Sequence, residues 1–312
     1  MRVSVSRLPL TLLAGWLTAA TYVTACSPAT LTRPADAVLP FSYSLEAANE
    51  PSAPFVARFE RNGTSLSFVA ATHGCDPATF ALIDQAFAAR RVRVAVIEGY
   101  ATSNGSDPPR FARHFEEWRA KGFCHGGGES GYAAAGAKEH GARFIGGEPD
   151  ERAVARAVLD AGFSEEDLLG FYFVRQVPQL RQQTALETES LDAAFHDVMK
   201  DESQKAGLEA ASARFPLERF REWYAQRQGK PFDGATVDTE ETAPVATGSY
   251  PTQRLSAVVG LVRDRFVVDL VAGLLSTDQN VLVVYGASHF LTQRPALELL
   301  MGKPVVVTAR GP

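Results

Sequence analysis

The chain has 312 residues, 46% of them hydrophobic and 21% charged, with 25 Gly and 18 Pro. This usage excludes a collagen, a coiled coil and a polar disordered chain, and fits one large folded domain or two small ones. Lys and Arg number 31 against 36 Asp and Glu, a net charge of −5, so no basic surface is set to grip phosphate backbones, no nucleic-acid module is recognisable, and nucleic acid is not an expected partner.

Met1-Arg2 and Arg7 precede a mostly apolar run from Leu8 to Ala20, which is followed by Val23-Thr24-Ala25-Cys26. A cationic start, a short apolar core and small residues before a cut form a signal peptide over residues 1–25, too short in its core for a permanent membrane span. Val23 to Cys26 resembles a bacterial lipobox, which implies lipidation of Cys26 and a membrane-anchored place in the bacterial cell envelope, facing the periplasm or the surface. Plain secretion is the alternative. With Cys26 lipidated, Cys75 and Cys124 remain as one pair in an oxidising compartment and are expected to form a disulfide. The competing role is a Cys75 thiolate nucleophile beside His73. The best later apolar run, Leu255 to Leu275, is broken by Arg263, Asp264, Arg265 and Asp269, so the body is expected to be soluble.

Residues 26–54, rich in Ala, Pro, Ser and Thr without a period, read as a tether, and one domain is expected over 55–312. Phe55 to Glu60 and Leu66 to Ala71 flank Asn62-Gly63, a hairpin signal because Asn-Gly supplies the positive φ of a tight type I′ turn. Asp76-Pro77 caps a helix to about Arg90, and Val92 to Ile97 is a strand ending at Glu98-Gly99. Ser130 caps an Ala-rich helix to His140, Ala142 to Ile145 is a strand ending at Gly146-Gly147-Glu148, and Pro149 opens a helix closed by Gly162. Residues 164–227 have helical period and read as an insertion, followed by a loop over 229–253. A helix over Leu255 to Leu275, a strand Val281 to Tyr285 ending in Gly286-Ala287-Ser288-His289, a helix around Ala296 to Met301 and a strand Pro304 to Thr308 complete the pattern. The expected fold class is α/β, a mixed, mainly parallel sheet flanked by helices, with the helical insertion between the two halves of the sheet.

His73, Glu98, Glu148 and His289 each fall just past the end of an expected buried strand. In open α/β sheets ligands bind outside the carboxyl ends of the strands, so these four are expected to converge. Two imidazoles and two carboxylates are equally the ligands of a divalent metal, with His73, Glu98 and His289 as the set, or a general acid/base group without metal. In the helix over Leu255 to Leu275, Arg265 shares a stripe with Val258, Leu261, Val268, Ala272 and Leu275, so that at least one guanidinium turns inward and needs an anion; Arg263 and Asp264 are the adjacent alternatives.

Ala71-Thr72-His73, Glu98, Gly147-Glu148-Pro149, Arg263-Asp264-Arg265 and Gly286-Ala287-Ser288-His289 resemble, in order, the motifs of the superfamily that joins erythromycin esterases, TraB and Tiki proteins and ChaN-type haem-binding lipoproteins. The resemblance implies His73, Glu98, Glu148, Arg263 and His289 as the functional set, and either ester or peptide hydrolysis or ligand binding. Two positions depart from it: Ala70 stands where TraB and Tiki proteins carry Gly, and Val267 where a Met follows the Arg-Asp motif.

His125-Gly126-Gly127-Gly128 resembles an oxyanion loop, and Ser130 with His289 would be nucleophile and base of a serine esterase. Tyr132, however, replaces the second Gly of the nucleophile elbow and no strand precedes it. The expected function is therefore an exported lipoprotein hydrolase. Water would attack an ester, lactone or peptide bond with help from His73 and His289, Glu98 or Glu148 as general base, and Arg263 on the oxyanion, with or without a divalent metal. The alternative is a lipoprotein that captures haem or a metal through the same histidines. The partners expected are a small-molecule or peptide substrate and a membrane reached through the lipid on Cys26.

Overall fold

The computed structural model describes residues 33–47, 51–89, 91–102, 109–124, 127–182, 191–277 and 280–308. The signal peptide, Cys26, and His125-Gly126 of the Gly-rich loop lie outside the described residues.

The strands are β1 (Phe55–Arg61), β2 (Thr64–Ala71), β3 (Val94–Ala101), β4 (Arg143–Glu148), β5 (Val281–Gly286) and β6 (Val305–Thr308), and they form one sheet in the order β4-β3-β5-β2-β1-β6. The pairs β4-β3, β3-β5 and β5-β2 are parallel, whereas β1 runs antiparallel to both β2 and β6. The sheet is thus mixed and mainly parallel in an α/β fold, as the alternating pattern implies. The β1–β2 turn forms at Asn62 and Gly63, with φ of 51° and 84°, the left-handed pair that a type I′ turn demands.

Helices α1 (Tyr43–Ala47), α2 (Pro77–Ala89), α3 (Pro109–Ala120), α4 (Gly128–Glu139), α5 (Glu151–Asp160), α6 (Glu165–Gln182), α7 (Leu191–Ala206), α8 (Glu209–Ser212), α9 (Leu217–Gln228), α10 (Pro251–Leu275) and α11 (Ala287–Met301) complete the described chain. Side chains alternate across the sheet with a period of two. Phe68, Val283 and Tyr285 join α10 and α11 in one layer, and Val69, Leu282 and Val284 join α2 and α4 in the other. The helical stretch after α5 has its own apolar core around Phe173, Phe220 and Trp223, which reaches α10 at Leu255 and Val259. No described helix is long and apolar enough to cross a membrane.

Several boundaries differ from expectation for local physical reasons. Gly127, at φ 80°, precedes the first turn of α4, so Ser130 lies inside the helix and is not its cap. Asp150, not Pro149, caps α5 by accepting from the amide of Arg152 at 2.8 Å. The last helix begins at Ala287 rather than near Ala296, because Pro295, which reads as a breaker, is absorbed inside it. The tether is partly structured: Ala35 and Val38 are buried beside α10 and α11, and the amide of Leu39 donates to the carbonyl of Thr292 at 3.0 Å. A few apolar residues in an Ala- and Pro-rich stretch carry no period, yet each fills a gap on a preformed surface.

Phe290 on α11 is 1% exposed and sits between Phe55 and Phe68, with ring centroids 5.2 and 5.1 Å away. Truncating such a ring leaves a cavity as well as losing its transfer free energy. Phe290→Ala is therefore expected to cost about 3–5 kcal/mol, read as a lower denaturation midpoint in urea at an unchanged slope.

Candidate functional site

The four strands that carry the expected site residues are consecutive in the sheet, and all are parallel, so their carboxyl ends lie along one rim. Across that rim the order is Glu148, Glu98, His289, His73. Glu148 is the last residue of β4, and Glu98 lies inside β3 at the irregularity between Ile97 and Ala101, not past its end. His289 sits in the first turn of α11, three residues after β5, and His73 follows β2 by two. Gly99, at φ 83°, supplies the left-handed backbone that the β3 irregularity needs.

Each histidine is held by a carboxylate. His73 Nδ1 lies 2.6 Å from Glu129 Oε1, and the amide of Gly74 donates to Glu129 Oε2 at 2.9 Å. His289 Nδ1 lies 2.6 Å from Asp264 Oδ1, which also accepts from Gln293 Nε2 at 2.7 Å, while Thr292 donates to Asp264 Oδ2 at 2.6 Å. Both Nε2 atoms are left for the site. The two rings differ in access: the His289 side chain is 16% exposed and packs edge-on to Tyr285, whereas that of His73 is 62% exposed.

Of the two arginines that the stripe left open, Arg263 is the guanidinium that turns inward and Arg265 is exposed. Arg263 Nε donates to Glu148 Oε2 at 2.5 Å, its Nη2 donates to Glu148 Oε1, and the same Nη2 reaches Glu98 Oε1 at 3.3 Å. Glu148 Oε1 further accepts from the Gly99 amide at 3.1 Å and the Tyr285 hydroxyl at 3.1 Å. Clamped by Arg263, held at a low proton affinity and not lining the cavity, Glu148 is poorly placed to take a proton from water. Glu98 accepts from the Gly286 amide at 2.7 Å, and its other oxygen lies 3.5 Å from His289 Nε2.

The charges reinforce one another. The bond to Glu129 raises the His73 pKa to about 9 against the opposing effect of burial, and the charge of Glu98 adds to it. Burial pushes His289 down, but the charge and bond of Asp264 outweigh it and leave the ring raised. Burial likewise pushes Glu148 up, and Arg263 overrides it, holding Glu148 at about 2.

His73, Glu98, Arg263, Asp264 and His289 line one cavity of about 330 Å³, whose outer wall is built by Leu39, Phe41, Arg175, Pro244, Val259 and Leu261. Glu148 stands behind Arg263 and does not line it. Sequence reasoning missed Glu129, Tyr285, Thr292 and Gln293, and named Asp264 only as a neighbour of the arginines. For Glu129 the available signal was an acid at the start of a helix rich in Ala and Gly. The sulfurs of Cys75 and Cys124 lie at disulfide distance, with Cα atoms 4.7 Å apart, so Cys75 is not a free thiolate. Neither histidine is bonded to Ser130 among the described residues, which leaves a Ser130 nucleophile without its base.

The donor set does not fit the expected metal. His73, Glu98 and His289 do not form a coordination group, since among the described residues no cluster of three or more His, Cys, Asp or Glu is arranged to hold a metal ion. Glu98 is shared instead between Arg263 and the Gly286 amide, one on each oxygen. Comparison with protein-family models, curated proteins and solved structures finds no match for this chain. The class defined by fold and geometry is an α/β protein with a carboxylate-backed histidine pair and a buried arginine on one sheet rim.

Two measurements check this geometry. The His73 ring is expected to titrate near pH 9 by NMR and to fall toward the ordinary range near 6.5 in Glu129→Gln. Because its folded pKa lies above the unfolded one, His73 contributes stability that is fully present below about pH 6.5 and is lost as pH rises through about 9. Glu148→Gln leaves Arg263 without its main counter-ion and is expected to cost about 3–5 kcal/mol, with the loss partly recovered in the double variant Glu148→Gln, Arg263→Met. The folded pKa of Glu148 is depressed, so its contribution is present above the ordinary carboxylate range and is lost as pH falls toward 2.

Proposed function

We propose that this protein is an exported hydrolase that activates water, without a metal, to attack an ester or lactone bond. The observation that carries the reading is the pair of carboxylate-backed imidazoles on one cavity, each with Nε2 free for chemistry. A catalytic imidazole needs its second nitrogen fixed so that the tautomer and ring orientation suit proton transfer, and Glu129 does this for His73.

In this mechanism His73, the accessible ring, takes a proton from water as it attacks the carbonyl. Glu98, fixed by the Gly286 amide and Arg263, accepts the water's other hydrogen and aims its lone pair. The positive charge of Arg263 faces the same cavity, beside His289, and stabilises the oxyanion of the tetrahedral intermediate. Glu148, Glu129 and Asp264 are positioning residues. Proton transfer back through His73 to the leaving oxygen completes the turnover. The motif resemblance to erythromycin esterases agrees with this assignment, and a disulfide-distance cysteine pair agrees with an oxidising compartment such as the bacterial envelope, with Cys26 as lipid anchor.

Turnover of 4-nitrophenyl acyl esters and simple lactones tests the reading. His73→Ala and Glu98→Gln are each expected to lower kcat/KM by about 10²–10⁴-fold. The wild-type rate is expected to climb with pH and level off near 9, where His73 is deprotonated, and Glu129→Gln to move that inflection downward. Wild-type levels of turnover in both variants, or a pH profile untouched by Glu129→Gln, would refute the assignment. A Soret shift on adding haem that His73→Ala and His289→Ala abolish, with no ester turnover, would replace catalysis with ligand capture.

A further inference from the structure

The cavity reaches outward from the reacting groups to a wall of different character. Leu39 and Phe41 come from the segment before the sheet, Pro244 from the loop after α9, and Val259 and Leu261 from α10, so three parts of the chain supply apolar side chains, with the hydroxyls of Thr242 and Ser256 among them. Arg175, on α6, is its one guanidinium besides Arg263.

Among the described residues, the other cations of this cavity are already neutralised. Arg263 is bonded to Glu148 and Glu98, His289 to Asp264 and His73 to Glu129. Arg175 has no carboxylate partner among them, although other arginines nearby do find partners: Arg181, one and a half turns along α6, caps the carbonyls of Gly234, Ala235 and Val237, and Arg219 and Arg227 pair with Glu166 and Asp167. The acids of α6 are confined to its first turn, at Glu165, Glu166 and Asp167. The carboxylates that do line the cavity, Glu98 and Asp264, are both occupied by donors at the inner end.

A planar guanidinium exposed in a concave wall, with neutral side chains around it and no carboxylate partner among the described residues, is suited to a carboxylate or phosphate group, which it can take in two parallel hydrogen bonds. We infer that the substrate is amphipathic, with a hydrolysable carbonyl at the inner end, an apolar stretch along Leu39, Phe41 and Pro244, and an anionic group bound by Arg175. Arg175 is then a specificity-determining residue. This rests on the hydrolase reading for the reaction, but the anion site is separable from it.

The test compares mono-4-nitrophenyl glutarate with 4-nitrophenyl valerate, which share a leaving group and chain length and differ in the terminal carboxylate. The wild type is expected to favour the hemi-ester by tenfold or more in kcat/KM, chiefly through KM. Arg175→Gln is expected to lower that ratio by at least tenfold, and Arg175→Glu to lower it further. A ratio that Arg175→Gln leaves unchanged overturns the inference. If neither ester is hydrolysed, the hydrolase reading fails, and calorimetry with glutarate and with inorganic phosphate still decides the anion site. Binding to the wild type that weakens tenfold in Arg175→Gln supports it, with the preferred ligand showing whether a carboxylate or a phosphate is read. Equal affinity in the two proteins, or no binding of either ion to the wild type, overturns it.

Discussion

The guanidinium of Arg263 holds the site together. It crosses from α10 to the rim of the sheet, clasps Glu148 with two nitrogens and reaches Glu98 with one of them. Removing these charges from water is costly, and the arrangement is tolerable because one oxygen of each carboxylate also receives a further donor, from Gly99 and Tyr285 for Glu148 and from Gly286 for Glu98. In return the clamp sets the position of two strands and one helix relative to one another. It also places Asp264, one residue along α10, where it meets His289.

The same logic explains how rigid and accessible groups are divided. Asp264 is buried and its inner neighbours Arg263, His289 and Glu148 are largely shielded and held by one another, so they contribute field and position. His73 stands at the open side and is tied only through Glu129 and the Gly74 amide. A proton carrier needs contact with water and substrate, and an electrostatic scaffold needs to be shielded from both, since charges act more strongly where the effective dielectric is low. Glycines make the close approach possible: a Cβ on Gly286 would lie 2.5 Å from His73 Nε2, and one on Gly147 would lie 2.6 Å from the ring of Tyr285.

Much of the site was legible from the chain. His73, Glu98, Glu148 and His289 each fall at or just after the end of a mostly apolar stretch of strand, and parallel strands put such positions on a common rim. Their partners were not legible. Glu129 lies in a Gly-rich stretch that resembles an oxyanion loop, and nothing local shows that it faces His73 across the gap between β2 and α4. The helical stripe left Arg263 and Arg265 open, because a stripe on a long helix packed on several sides is no guide to which side faces the polar pocket, and the motif resemblance was what named Arg263. Ala35 and Val38 were read as linker because their burial came from a surface formed elsewhere.

What the sequence determined by itself is local. Periodicity of two and of 3.6 residues, the Asn-Gly turn, and polar residues at strand ends established an α/β chain with a set of candidate groups. Tertiary structure alone decided which carboxylate became a base candidate and which became a buried counter-ion, because that depends on how many donors converge on each oxygen. It also decided that Arg175 would face a cavity without a carboxylate partner among the described residues. Proton affinity and charge balance are properties of neighbourhoods, and neighbourhoods between residues 73 and 129, or 148 and 263, exist only once the sheet and its covering helices have formed.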